Sequence, residues 1–432
     1  MTLAGFTLPE LSAYDPPVAG EGSLDPMGLA AISDRLANRL VPGVRARMLR
    51  LRFVTAMAMG TMACETLADE LAADGISTPA IGFEWLVIEG FVRRFPPRDM
   101  PAGIPGSQKA RAVISRGQRL SAATYLKGPS VFGFNGVYKP FAVDAGIVTP
   151  DLETGPRGAE LVRAWESEQG FAGFTDAVPR TEGRKLRVSI RDQVRDALRA
   201  GRCTANPRGW LFGHLAGSLH PDRAWPGERQ ALRDMVMGGL HETRAELAAH
   251  LVGIDGELSE AEVLHAVRPM CSLALGAIVD AVVAYERFAA LVDAAFHTLC
   301  AVSHSMGAQP LTPRHVKAHE LILRGVREIP EHFRRAAEQM GSIDADGGLE
   351  ERFGEFAIPR SPAEFVDLLL EHHEQVQSAK PPHGKRSWFE PLRDGWVIRA
   401  PYGTAEQPEL GPWFVHPVRI APLRRFLKDT NP

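Results

Sequence analysis

Cysteine is scarce in this chain and badly placed for bridging. Only four occur in 432 residues (Cys64, Cys203, Cys271 and Cys300), far apart and never as CxxC. That spacing argues against a zinc ribbon or a disulfide framework and fits a reducing cytoplasm. Long apolar runs are missing too. The most apolar stretch, Cys271 to Tyr285, contains Asp280 and falls short of the ~20 residues that a membrane span needs. The opening MTLAGFTLPELSAYDPP has neither a basic n-region nor an apolar h-region, so no signal peptide is expected. The usual catalytic signatures are absent as well: no GxxxxGKS/T loop, no GxSxG elbow, no kinase set, no GxGxxG after a strand. No spaced acidic set followed by an ExK element marks a restriction-type nuclease. A strong excess of one charge is lacking, since the net charge is −3 and the pI about 6.5. An anion-binding surface must then come from uneven placement of charge.

What is present fits a globular protein: 45% apolar and 23% charged residues. The length implies roughly two to four domains. Composition breaks suggest four segments: an arm and helical region over 1–95, a basic region over 96–202, a helical bundle over 203–379 and an aromatic, basic tail over 380–432. Residues 24–28 lead into a first helix with Ile32, Leu36, Leu40 and Val41 on one stripe, ended by Pro42-Gly43. A second helix is expected from Val44 to Ala73 and a third over 79–95. Helices follow over 107–122 and 188–200, the latter stopped by Gly201. Trp210 to Trp225 reads as a loop. From Gly227 to Gly341 the pattern is almost continuous helix, broken near Gly253, Pro269 and Gly307, and Ser361 to Gln377 adds one more. Long amphipathic helices on short turns indicate a bundle. The tail, with Trp388, Trp396, Tyr402 and Trp413, reads as short strands and loops packed on that body.

Two basic constellations stand out. From Arg93 to Val143 there are nine Lys and Arg against one acid, Asp99. Within and beyond this region, residues 125–165 read as helix, short strand, turn, short strand, helix, which resembles the second half of a winged helix. Its helix over 131–145 would present Asn135 and Lys139 outward, with Lys127 near its start, where free backbone N–H groups favour phosphate. Its wing carries Asp151 and Glu153, which repel a phosphate backbone. The second constellation is a row of Arg187, Arg191, Arg195 and Arg199, four residues apart and so on one helix face. Arg184 and Lys185 extend it. Such a row could track phosphates or an acidic partner, or it could be a solvated face with local Arg–Asp pairs. Three histidine sets are weaker. His297, Cys300 and His304 share a helical face but read as core. His315 and His319 do not form HExxH, and His372-His373-Glu374 reads as an exposed acidic helix. The basic and aromatic tail suits packing better than base stacking.

Three stretches, SLDPMGLAAISDRLANRLVPGVRARMLRLRFVTAMAMG, GPSVFGFNGVYKP…GIV…GPRG and WFVHPVRIAPLRRFLKDT, resemble an uncharacterised bacterial family associated with anti-phage defence gene clusters. The resemblance brings no catalytic residues. It implies a subunit of a bacterial defence system and says nothing of mechanism. Together with the basic surfaces and the missing catalytic signatures, the expectation is a non-catalytic DNA-binding or scaffolding subunit of a multi-protein defence complex, in a cytoplasmic, mainly α-helical chain. The expected partners are other subunits, an ATPase, helicase or nuclease among them, together with DNA. No cofactor, metal or membrane is expected. The site residues expected to meet nucleic acid or an acidic partner are Lys127, Asn135, Lys139, Arg184, Lys185, Arg187, Arg191, Arg195 and Arg199. The alternatives are a nuclease or other hydrolase with an unrecognised site, and a winged-helix transcriptional regulator.

Overall fold

The computed structural model describes residues 25–70, 72–126, 133–238, 241–345, 347–380 and 384–431. Among these the fold is mainly α, with 17 helices and a single two-stranded antiparallel sheet near the C-terminus. In chain order the helices are α1 (Ala30–Leu40), α2 (Phe53–Cys64), α3 (Pro79–Arg94), α4 (Ser107–Ser115), α5 (Phe134–Asp144), α6 (Pro156–Gln169), α7 (Glu182–Ala200), α8 (Trp210–Ser218) and α9 (Pro226–Met237). They continue as α10 (Glu242–Leu251), α11 (Glu260–Val267), α12 (Leu273–Met306), α13 (Pro313–Val316), α14 (Glu320–Ser342), α15 (Leu349–Phe353), α16 (Pro362–Ser378) and α17 (Ile420–Asp429). Strands β1 (Phe389–Leu392) and β2 (Gly395–Ile398) pair with Phe389 opposite Ile398. No helix is long and apolar enough to cross a membrane among the described residues.

The chain forms two compact units. One holds the described residues up to Arg39 with Glu257–Val418; the other holds Leu40–Gly256 with the chain from Arg419 onward. The cuts fall at places other than the composition breaks at 95, 202 and 379.

In the second unit α2 is central. FVTAMAMGTMAC is buried on nearly every side, the mark of an inner helix. It packs against α3, α5, α6 and α7, and α3 in turn meets α4 and α8. Gly60 is required where α2 meets α3, because a Cβ there would lie 2.4 Å from the Phe83 ring. The helix expected from Val44 begins only at Phe53. Residues 44–52 instead make tight turns, with Met48 N–H to Arg45 O at 3.0 Å and Val54 N–H to Leu51 O at 3.0 Å. The reason is Arg52: its buried guanidinium donates to the Glu228 carboxylate at 2.7 and 2.9 Å and to Ser218 O at 2.8 Å. The stretch from Trp210, expected as a loop, opens with helix α8. In WLFGHLAGS the side chains of Leu211, Phe212, Leu215 and Ala216, which fall on one face of the helix, bury.

In the first unit α12 is the axis, packed against α14, α16 and β2. Ser361 and Ser259 close capping boxes with Glu364 and Glu262 at the starts of α16 and α11, as [S/T]xxE spacing promises. The pair His372 and His373, expected at the surface, is buried. His372 Nε2 lies 2.9 Å from Met27 O and His373 Nδ1 2.9 Å from Pro26 O, while the Trp388 N–H donates to His373 Nε2 at 2.9 Å. Burial pushes His373 down to about 4. The two rings hold the Asp-Pro-Met-Gly segment whose Asp25 carboxylate caps α1 at Leu29 N, 2.9 Å. Trp388 stacks on Tyr402 with centroids 4.6 Å apart, so this part of the tail packs inward.

Candidate functional site

The expected basic site lies in the second unit. Lys127 falls outside the described residues. Asn135 and Lys139 are half-buried on α5. The order after them is as expected: α5, a hairpin held by a bridge between Val148 and Thr154, then α6. Asp151 and Glu153 are exposed at its tip. The hairpin closes tightly onto α6 because a Cβ at Gly158 would sit 2.1 Å from Ile147 O.

The arginine row is on α7, a helix capped by the Thr181 side chain at Arg184 N and ended by left-handed Gly201. Leu186, Ile190, Val194 and Leu198 bury, and the arginines flank that stripe. Three of the four are already engaged. Arg187 donates to Phe174 O at 3.1 Å, to Thr175 O at 2.5 Å and to Glu65 at 2.6 Å. Arg191 pairs with Asp192 at 2.8 Å, and Arg195 reaches Glu70 and Asp192, each at 3.3 Å. Lys185 is exposed, 3.4 Å from Glu182 and 5.4 Å from the Trp210 ring centroid. Arg184 and Arg199 are exposed.

Further cations lie nearby in the same unit. A bridge between Ser121 and Arg202, with Cys203 N–H donating to Leu120 O at 2.8 Å, joins the segment after α4 to the segment after α7. The exposed side chains on these two segments include Arg116, Arg202 and Arg208, and Arg199 ends the adjoining helix. Among the described residues none of these four has an ion pair.

Buried carboxylates on α3 shape this region. Glu89 accepts from Arg93 at 3.0 Å, Arg119 at 3.0 Å and Leu120 N at 2.9 Å. Glu84, one turn earlier, meets no cation. It accepts from the Phe134 N–H at 2.9 Å and from Tyr125 Oη at 3.1 Å. Burial pushes it up to about 8, against hydrogen bonds that pull the other way.

A second candidate, which the sequence reading missed, is a cleft of about 690 Å³ inside the first unit. That volume is typical of small-molecule sites. Three helices and one loop form its walls. On α14 the buried stripe Ile322, Ile329, Phe333 and Ala336 packs inward, which turns Arg324, Glu328, His332 and Arg335 to the cleft. α12 contributes Asp280 and Arg287, α11 contributes His265, and the turn just after α11 contributes Arg268. The loop Leu410–Phe414 closes it. Glu286, buried on α12, anchors that loop: its Oε2 accepts from the backbone N–H groups of Val415 (3.0 Å) and His416 (3.1 Å), and its Oε1 from Ser33 at 2.7 Å. The Glu286 carboxylate, 3.2 Å from His416 Nδ1, raises that imidazole although burial alone would lower it. Trp413 is 51% exposed and lies over Gly411, where any Cβ would collide with its ring.

The charges of the cleft sort into two groups. Arg268 grips Asp280 with two bonds of 2.7 and 2.6 Å. Glu328 takes Arg324 at 3.0 Å and Arg327 at 2.9 Å. Glu262 is used by the Ser259 cap at 2.8 Å. Arg287, Arg335 and His332 have no ion pair or hydrogen bond among the described residues. Burial lowers His332, and the charges of Arg287 and Arg335 act in the same direction, opposed by Glu328 and Glu331.

The histidine sets elsewhere are held by their own neighbours. His297 lies 3.0 Å from Asp293 O, and burial pushes the Cys300 thiol well above its ordinary value. No group of three or more His, Cys, Asp or Glu side chains is arranged to hold a metal among the described residues. The chain matches no protein-family model, no curated protein and no solved structure.

Proposed function

We propose that this chain is a non-catalytic subunit of a multi-protein bacterial anti-phage defence complex and that its second unit binds DNA. The residues bearing the contact would be Arg184, Lys185 and Arg199 of α7 with Arg116, Arg202 and Arg208, and the 125–165 segment would serve as a winged-helix-like platform. The observation that carries the DNA half is the set of exposed arginines around the Ser121–Arg202 bridge that have no ion pair among the described residues. Unanswered surface cations release counterions when they meet phosphate, and that release drives sequence-independent binding. Arg187, Arg191 and Arg195 drop out of the contact set because Glu65, Glu70 and Asp192 already occupy them. The defence half rests on the resemblance of the three sequence stretches.

Salt-dependent binding to a 30-base-pair duplex tests the DNA half. The full chain is expected to bind with affinity falling steeply in salt. Replacing Arg116, Arg199 and Arg202 by Ala is expected to flatten the log–log slope by about 2–3 units, since each lost phosphate contact removes ~0.9. A wild-type chain that shows no salt-sensitive retention of duplex or single strand overturns it. Co-purification with a neighbouring ATPase or nuclease tests the subunit half.

A further inference from the structure

We infer that the cleft between α11, α12, α14 and the loop Leu410–Phe414 is a binding site for a nucleoside polyphosphate, with Arg287, Arg335 and His332 on the phosphates and Trp413 against the base.

A cleft rich in both signs of charge is ordinarily self-neutralised, and most of this one is. Asp280 is saturated by Arg268, Glu328 by two arginines, Glu262 by its helix cap and Glu286 by backbone N–H groups and Ser33. After that pairing the groups left over are all of one kind. Arg287 and Arg335 come from different helices, both line the same cleft, and both bear electrostatically on His332. Glu328 and Glu331 act on the same imidazole in the opposite direction, yet Arg287 and Arg335 themselves have no ion pair among the described residues, and two such guanidinium groups lining one cleft suit an anion with more than one charged centre. Arginine forks match phosphate oxygens in pairs, which gives geometry as well as charge.

The aromatic wall selects the rest of the ligand. Trp413 keeps half its surface open although a tryptophan normally buries its large apolar face. It is fixed rather than loose: Gly411 lets the ring lie against the backbone, and Glu286 ties down the two residues that follow Phe414. A rigid, half-open indole beside cations is the arrangement on which a base stacks. The volume, about 690 Å³, leaves room for a base, a sugar and two or three phosphates. This site is independent of the DNA contact proposed for the other unit.

Calorimetric titration of the full chain tests the inference, with ATP and GTP as probes and tripolyphosphate and adenosine as the separated halves. One molecule of ATP or GTP is expected per chain, with tripolyphosphate weaker and adenosine weaker still. Arg287→Ala combined with Arg335→Ala is expected to weaken ATP at least tenfold, and Trp413→Ala several-fold while leaving tripolyphosphate unchanged. All three side chains are exposed, so the variants keep the wild-type circular dichroism. Wild-type protein that gives no heat with either nucleotide at millimolar concentration overturns the inference. So does ATP binding that survives loss of both arginines. Tripolyphosphate binding as tightly as ATP, with no effect of Trp413→Ala, overturns the assignment of the base.

Discussion

Two sets of basic side chains, one on α7 and one on α14, each share a helix face and meet different fates. On α7 three of four arginines are held by carboxylates or carbonyls. On α14 Arg324 is held by Glu328, while His332 and Arg335 have no ion pair among the described residues, and neither does Arg287 across the cleft on α12. Spacing therefore reports which side chains share a face and says nothing of whether they are free. Glu65 and Glu70 lie more than a hundred residues before α7, and no local reading brings them to it. A cation held inside the protein contributes to stability; a free one contributes to binding. That contrast can be tested by separating the two effects.

The strongest test lies at the engaged extreme. Arg52 and Glu228 form a pair with side chains 3% and 0% exposed. Arg52→Ala leaves the Glu228 carboxylate with the Thr55 hydroxyl, at 2.8 Å, as its hydrogen-bond partner among the described residues. Removing one partner of a buried pair costs about 3–5 kcal/mol, to be read from the urea midpoint. A change under about 1 kcal/mol would mean the pair is hydrated and the contrast much shallower than drawn.

The next test lies within the α7 row. Arg187→Ala removes a carboxylate and two carbonyl contacts and is expected to destabilise by about 1–2 kcal/mol, with duplex affinity changed less than about twofold. Arg199→Ala, at an exposed position, is expected to stay within about 0.5 kcal/mol of wild type in stability and to lower duplex affinity. The reverse pattern, Arg187 affecting binding and Arg199 stability, would break the comparison.

The same contrast between answered and unanswered charge recurs on α3. Glu89 has two arginines, and Glu84 has none. Glu84 is raised in the folded chain from 4.5 to about 8, so the folded state holds a proton there that the unfolded state has released. Its stabilising contribution is complete below about pH 4.5. It declines as the pH rises toward 8, by at most ~1.4 kcal/mol per unit, and is flat beyond. Glu84→Gln resembles the protonated form: its amide can face Tyr125 Oη while its carbonyl accepts from Phe134 N–H. The difference in melting temperature between variant and wild type should therefore widen in the variant's favour from pH 5 to pH 8. A constant difference across that range would mean Glu84 is ionised throughout.

How far the sequence could be read follows the same division between local and distant causes. The helices that carry their own signals were legible: the one starting at Ser361, Gly201 after α7, and the apolar stripe of α1. The start of α2 was not, because the turns over 44–52 are set by Arg52 reaching Glu228. His372 and His373 beside Glu374 look like a solvent face, and only the distant carbonyls of Pro26 and Met27 make them interior. The row Arg324, Glu328, His332 and Arg335 carries no local signal of a site. That it lines a cleft depends on Glu286 holding a loop more than a hundred residues later.

The smallest expected effect sharpens the comparison from the cleft side. Arg268 and Asp280 are each about two-fifths exposed, so breaking the pair should cost under about 0.5 kcal/mol. Gly276 lets Arg268 lie flat on α12, since a Cβ there would be 2.8 Å from Nη1. Arg268→Ala leaves the Asp280 carboxylate unanswered inside the cleft. At about 8 Å through a wet cleft, a new negative charge opposes a phosphate by roughly 0.5 kcal/mol, a two- to threefold loss of ATP affinity with almost no change in melting. Asp280→Asn in the same background should restore the affinity. If it does not, the Arg268 guanidinium itself touches the ligand, and the boundary between engaged and free cations in the cleft moves by one residue.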